Sequence, residues 1–179
     1  MRTPHDIVIE TLERIKMRVS QNIDTTGTRA SGRTQASMHV VSTPTGAMLV
    51  GRKYFQSVEV GRPAGRVPFR FRDIIKQWMI DKGIAVIPMK YKTSRKHKYT
   101  EQEMSLNVAA GAIAHTIEMQ GTTLYRSGGR TDIYSDVIAE EIPRLRKEIA
   151  ASVASTLSQT LHAAWMQHAN GDATYQYLN

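Results

Sequence analysis

Between Thr3 and Val19 apolar side chains return at helical spacing. Val8, Leu12, Ile15 and Val19 make one stripe, and Glu10, Glu13, Arg14 and Arg18 occupy the opposite face. That period predicts an amphipathic helix, which needs a sheet or another helix to cover its apolar side. Its start is marked by Thr3 as a cap, by Pro4 where the first helical residue needs no N–H, and by Asp6 at the positive end of the dipole. Gly27 lies beyond its end. The small polar residues 28–36 read as a loop. SMHVVST and AMLVG then flank Pro44-Thr45-Gly46, a turn signal between two β-prone runs, and predict a hairpin at about 37–51. RKYFQSVEVGR fits a short helix or a third strand.

GRPAGRVP is a turn-rich connector into FRFRDIIKQWMIDKG, where Phe71, Ile74, Ile75, Trp78 and Met79 form a wide helical stripe that predicts core positions for Phe71 and Trp78. Lys82 and Gly83 suit that helix's end. Thr100 opens a T-E-Q-E capping box with Glu103, and a helix follows to about Gln120 with Gly121 as its stop. Its apolar positions are Leu106, Ala109, Ala110, Ile113 and Ile117, and its many small residues allow close packing against a neighbour. TTLYR reads as a short strand and SGGRTD as a flexible turn. A last helical region spans about Ser135 to Ala169, with Pro143 expected to break or kink it and Gly171 to end it. Beyond the proline, Leu145, Ile149, Val153, Leu157, Leu161 and Trp165 line one face, which fits core packing or a contact with another copy of the chain. No internal repeat is evident. The expected fold class is α+β: a small hairpin-based antiparallel sheet packed against amphipathic helices, with a long C-terminal helix.

A length of 179 residues fits one domain over 1–179, with a core at about 1–135, a helical extension at about 136–170 and a short tail at 171–179. The 41% hydrophobic content is enough to bury a core. With no cysteine, the chain has no disulfide scaffold, thiolate metal site or cysteine nucleophile. The N-terminal residues lack a signal-peptide apolar block, and no run approaches ~18 apolar residues, so a soluble intracellular protein without a membrane partner is expected.

Charge changes the picture. Residues 51–100 hold 13 Lys and Arg against 3 Asp and Glu, more than the whole net charge of +8. Within this stretch Tyr91 and Tyr99 bracket Lys92, Arg95, Lys96 and Lys98, with Lys90 just before. Basic residues interleaved with aromatics suit a phosphate backbone and base stacking, and the same composition suits an exposed loop or hairpin tip. Catalytic patterns are missing. The histidines at 5, 39, 97, 115, 162 and 168 are dispersed, with only His115 and Glu118 at helical spacing. No nucleophile elbow or phosphate-binding G-x-x-x-x-G-K-[ST] occurs. GRPAGR and SGGR fit either an anion site or ordinary turns. No enzyme activity, cofactor or metal is expected.

Several segments occur in a telling order: ASGRTQAS (30–37) before the hairpin, YFQSVEVGRPAGRVP (54–68) leading into IIKQWMIDKGI (74–84), and AIAHTIEMQGTTLYR (112–126) before SGGRTDIYS (127–135). This order resembles virion neck proteins of tailed bacteriophages, in the tail-completion or tail-terminator-like group of head–tail connectors. In that group a small-residue S-G or T-G motif precedes a strand, and an aromatic followed by E-x-G leads to a proline-containing loop. The resemblance covers residues 30–135; the helix after Pro143 and the basic 90–98 stretch have no counterpart in it.

The resemblance implies a structural virion protein, made in the bacterial host cytoplasm and located in the neck. It would form a homo-oligomeric ring, contact the portal or adaptor ring and tail proteins, and help retain packaged DNA. Under that reading Lys90, Lys92, Arg95, Lys96 and Lys98, with Arg62 and Arg66 second, meet either channel DNA, as nonspecific phosphate contacts, or an acidic face of the adjacent ring. A competing reading is a basic nucleic-acid-binding accessory protein without catalytic activity. A small hydrolase remains only as a site assembled from distant residues.

Overall fold

The computed structural model describes residues 2–92 and 98–176, the last seven of these as backbone only. It contains α1 (Pro4–Thr25), α2 (Arg33–Ala36), β1 (His39–Thr43), β2 (Gly46–Val50), α3 (Ser57–Val60), α4 (Phe71–Asp81), α5 (Glu101–Gln120), α6 (Thr123–Arg126) and α7 (Ser135–Gln176). The fold is α+β, with a two-stranded antiparallel hairpin set against helices and a long C-terminal helix. Local chemistry sets most boundaries. Thr3 with Asp6, and Thr100 with Glu103, form reciprocal capping boxes at α1 and α5. In the hairpin Thr43 pairs with Gly46 across Pro44-Thr45, and His39 with Val50 at the far end.

Apolar side chains collect in two clusters that share no residue. The first joins Ile15, Val19 and Ile23 of α1 with Met38, Ile133 and Val137, flanked by Leu49, Phe55, Val58 and Tyr134. A two-stranded hairpin is marginal alone, so its stability comes from this packing. The second joins Ile75 and Met79 of α4 with Ala110 and Ala114 of α5. The two alanines let the α4 and α5 backbones approach closely. Polar links tie the clusters together: Arg33 pairs with Asp81 at 3.2 Å, and the Lys82 ammonium donates to the Gly27 carbonyl.

A buried carboxylate fixes the start of α7. Glu59, 2% exposed, accepts from the backbone N–H groups of Ile133 and Ser135, each at 2.9 Å, and also from Tyr134 N–H and the Ser135 hydroxyl. Its own carbonyl accepts from Arg130 N at 2.9 Å. α7 then runs antiparallel to α1. Asn22 donates to the carbonyls of Asp132 and Ile133 near its start, Arg14 and Arg18 both pair with the buried Glu141, and Ser152 donates to the Arg2 carbonyl at 3.1 Å.

Several expectations are corrected. Residues 33–36 close a helical turn rather than a loop, 57–60 resolve to helix rather than strand, and TTLYR is the helical turn α6, because the Thr122 hydroxyl accepts from Tyr125 N–H and caps it. The buried face of α1 is Ile7, Thr11, Ile15, Val19 and Ile23, so Val8 and Leu12 turn to its flank. The helix does not break at Pro143: Arg14 pairs with Glu141 before it and Glu148 after it, holding both sides against α1. Nor does it stop at Gly171; the 171–179 tail is helical to Gln176.

Replacing Glu59 by Leu leaves three backbone N–H groups and the Ser135 hydroxyl without their acceptor, and should destabilise the fold by about 2 kcal/mol, read from the urea midpoint. The Thr3 and Thr100 backbone N–H groups hold the Asp6 and Glu103 carboxyls below the ordinary carboxylate range. A lowered carboxyl adds stability at neutral pH and loses it as pH falls through its folded-state value, below about pH 4. A D6N/E103Q variant should therefore show a shallower loss of helical circular dichroism between pH 5 and pH 3 than the parent.

Candidate functional site

The basic segment leaves α4 after Gly83, whose φ of +65° ends the helix, and returns to α5 without regular structure among its described residues. Its base is pinned to the first turn of α5. Met89 N donates to the Ser105 hydroxyl at 2.7 Å, Tyr91 N to Glu101 at 3.3 Å, and the Tyr91 hydroxyl to the Tyr99 carbonyl at 2.8 Å. These bonds bring Lys90, Lys92 and Lys98 to one end of α5, all exposed, with the Lys98 ammonium 5.3 Å above the Tyr99 ring. Arg95 and Lys96 lie outside the described residues. The Tyr91 hydroxyl serves the loop itself, which leaves Tyr99 as the aromatic beside the lysines.

Arg62 and Arg66 do not join them. Arg62 N donates to the Thr122 hydroxyl at 2.9 Å and Gly65 N to the Glu118 carbonyl at 2.8 Å, so this turn is fixed at the other end of α5. Twenty residues of helix, about 30 Å, separate the two basic groups. Arg62 donates to the Arg66 carbonyl at 2.7 Å and lies 5.4 Å over the Phe71 ring, a packing role; Arg66 is exposed. The glycine loops have equally local duties. Arg62, Gly65, Gly129 and Arg130 already donate their N–H groups inside the protein. A Cβ on Gly61 would sit 2.5 Å from Tyr125 N, and one on Gly121 2.7 Å from the Arg62 carbonyl oxygen. These loops are interlocked turns whose glycine N–H groups are bonded inside the protein.

Two surfaces emerge, of which the sequence pattern offers only the second, as a core face or a contact with another copy of the chain. The first is a groove of about 700 Å³ between α4, α5 and α6, floored by Phe71, Ile75, Trp78, Ile113, Ile117 and Leu124 and edged by Arg62 and Arg126. Trp78, expected in the core, is 39% exposed there, and Phe71 is half-buried. The small side chains of α5 leave part of the wide α4 stripe uncovered. The second is the end of α7. Beyond Ser152, the large apolar side chains of Val153, Leu157, Leu161 and Trp165 are all exposed.

The accessible surface totals 13027 Å², against roughly 8,700 Å² for a compact monomer of this mass. Among the described residues no three His, Asp or Glu side chains converge as metal ligands, and no helix is long and apolar enough to cross a membrane. No protein-family model, curated protein or solved structure matches the chain.

Exposed lysines and a half-buried arginine should respond differently to substitution. A K90E/K92E/K98E variant should keep its urea midpoint nearly unchanged, whereas Arg62→Ala should lose about 1–2 kcal/mol through its lost packing and hydrogen bonds.

Proposed function

We propose that the chain is a structural subunit of a tailed-phage virion neck, assembling with itself into a ring that joins the portal to the tail and helps retain packaged DNA. The observation that carries the assembly half of this reading is the excess of surface: 13027 Å² with large apolar side chains left in solvent on α4 and α7. Contiguous exposed apolar surface of that kind fits a subunit whose neighbours complete its packing. The phage half rests on the resemblance of residues 30–135 to head–tail connector proteins.

The remaining features fit the same role. Among the described residues each strand of the hairpin pairs only with the other, which leaves each an edge that a neighbour's strand can extend. Lys90, Lys92 and Lys98 stand on a pinned loop where they reach either DNA phosphates or an acidic protein face. That cluster also supports the second reading, a nucleic-acid-binding accessory protein.

Light scattering on the purified chain, alone and mixed with portal assemblies, separates the two. The neck reading expects a multi-subunit species, or a monomer recruited stoichiometrically to the portal. A monomer that ignores the portal and retards DNA with a steep salt dependence overturns it in favour of the second reading.

A further inference from the structure

The two unpartnered apolar surfaces lie at opposite ends of the same framework. α7 leaves its anchor at Glu59, runs back along α1 past Arg2, and continues as a helix of 24 residues from 153 to 176, about 36 Å long. The groove belongs to the anchored end. Arg62, on its edge, is three residues from Glu59, a chain length of about 11 Å at most, and Glu59 bonds directly to Ile133–Ser135. The arm starts about 27 Å along the helix from Ser135 and points away. An unbroken helix cannot turn back, so the arm cannot fill its own chain's groove.

From this geometry we propose that the α7 arm of one copy docks in the α4–α5–α6 groove of the next copy, giving a head-to-tail contact; the inference rests on the reading of the chain as a homo-oligomer. Leu157, Leu161 and Trp165 recur every four residues and act as the anchors of a helix laid in an apolar groove. Charge fits this occupant. From Ile149 to Gly171 the sequence contains no Asp, Glu, Lys or Arg, so the stretch that carries the anchors Leu157, Leu161 and Trp165 brings none of these charges into the contact, although whole copies at +8 repel one another. The groove floor is apolar, and Arg62 Nε, buried at its edge without a hydrogen-bond partner, gains acceptors from the uncharged polar side chains of the arm, such as Ser158 and Gln159. One face of the 153–169 stretch, about 25 Å of helix, covers about 450 Å² on each side, some 900 Å² per contact, near the low end of specific interfaces, and each copy in a head-to-tail assembly makes two such contacts. Such a contact is heterologous, and it generates a ring where its rotation closes.

The test uses two full-length variants with changes at exposed positions: Leu161→Glu on the arm and Ala112→Trp in the groove. By light scattering, the parent chain should form a multi-subunit species and each variant alone should be monomeric. An equal mixture should form a dimer and nothing larger, because it keeps one intact arm and one intact groove. Tryptophan emission, arising only from Trp78 in the groove and Trp165 on the arm, should shift to the blue in the parent assembly. Assembly of A112W like the parent overturns the inference in favour of an arm–arm contact. Assembly of L161E like the parent, or two monomeric variants that fail to pair, also overturns it; each leaves self-assembly itself standing. A parent chain that stays monomeric up to ~1 mM overturns it too, and the neck reading falls with it only if the portal also fails to recruit the chain.

Discussion

Four donors converge on the Glu59 carboxylate, and the path of the rest of the chain depends on that convergence. A helix begins with backbone N–H groups that have no partner within it, and its N-terminus carries a partial positive charge. In α7 the first of these groups, Ser135 N–H, is met together with those of Ile133 and Tyr134 just before it by a carboxylate more than seventy residues earlier in the chain, in a site nearly closed to water. A charge buried in this way is stable only with full hydrogen bonding, so the pairing tolerates little displacement. It sets where α7 begins and which way it points. Tyr134, beside the pairing, packs on Phe55 at 5.4 Å between ring centroids, while Arg130 N bonds back to the Glu59 carbonyl. The short helix α3, the loop before α7 and α7 itself therefore meet at one residue.

Around that point the protein is built as two small cores joined by polar contacts. The α1–hairpin–α7 core is packed with branched aliphatic side chains, while the α4–α5 core relies on alanines and close helix approach. The join consists of interlocked turns at 59–65 and 118–130 together with the Arg33–Asp81 and Lys82–Gly27 contacts. Glycines at 61 and 121 are needed there because both backbones take positive φ where a Cβ would collide.

What the sequence reveals well is what neighbouring residues decide. The Thr3 cap, the Thr100 capping box, the ends of α4 and α5, the hairpin turn and the small-residue face of α5 are encoded within a few positions and are legible there, whereas the reciprocal bond from Asp6 back to Thr3 is not. TTLYR was misread because its β-prone composition was weighed without the Thr122 cap, the local signal that makes it a turn of helix. Pro143 does not end the helix, and the contacts that hold the chain on either side of it come from α1, more than a hundred residues away. Glu59 looks like any carboxylate in a loose segment, since its partners are remote. The separation of Arg62 and Arg66 from the lysines was equally hidden: they are close in sequence yet stand at opposite ends of α5. The excess width of the α4 stripe over what alanines can cover was a usable sign of the groove.

The free part of α7 also has a mechanical meaning. It is a cantilever clamped at Ser152, and a helix of that length is stiff along its axis but easily tilted at its root. A tilt of about 10° carries its tip through about 6 Å, close to one helical turn. Neither core has to deform for that swing. A subunit so constructed takes up differences in spacing between neighbours in its arm and keeps its body rigid.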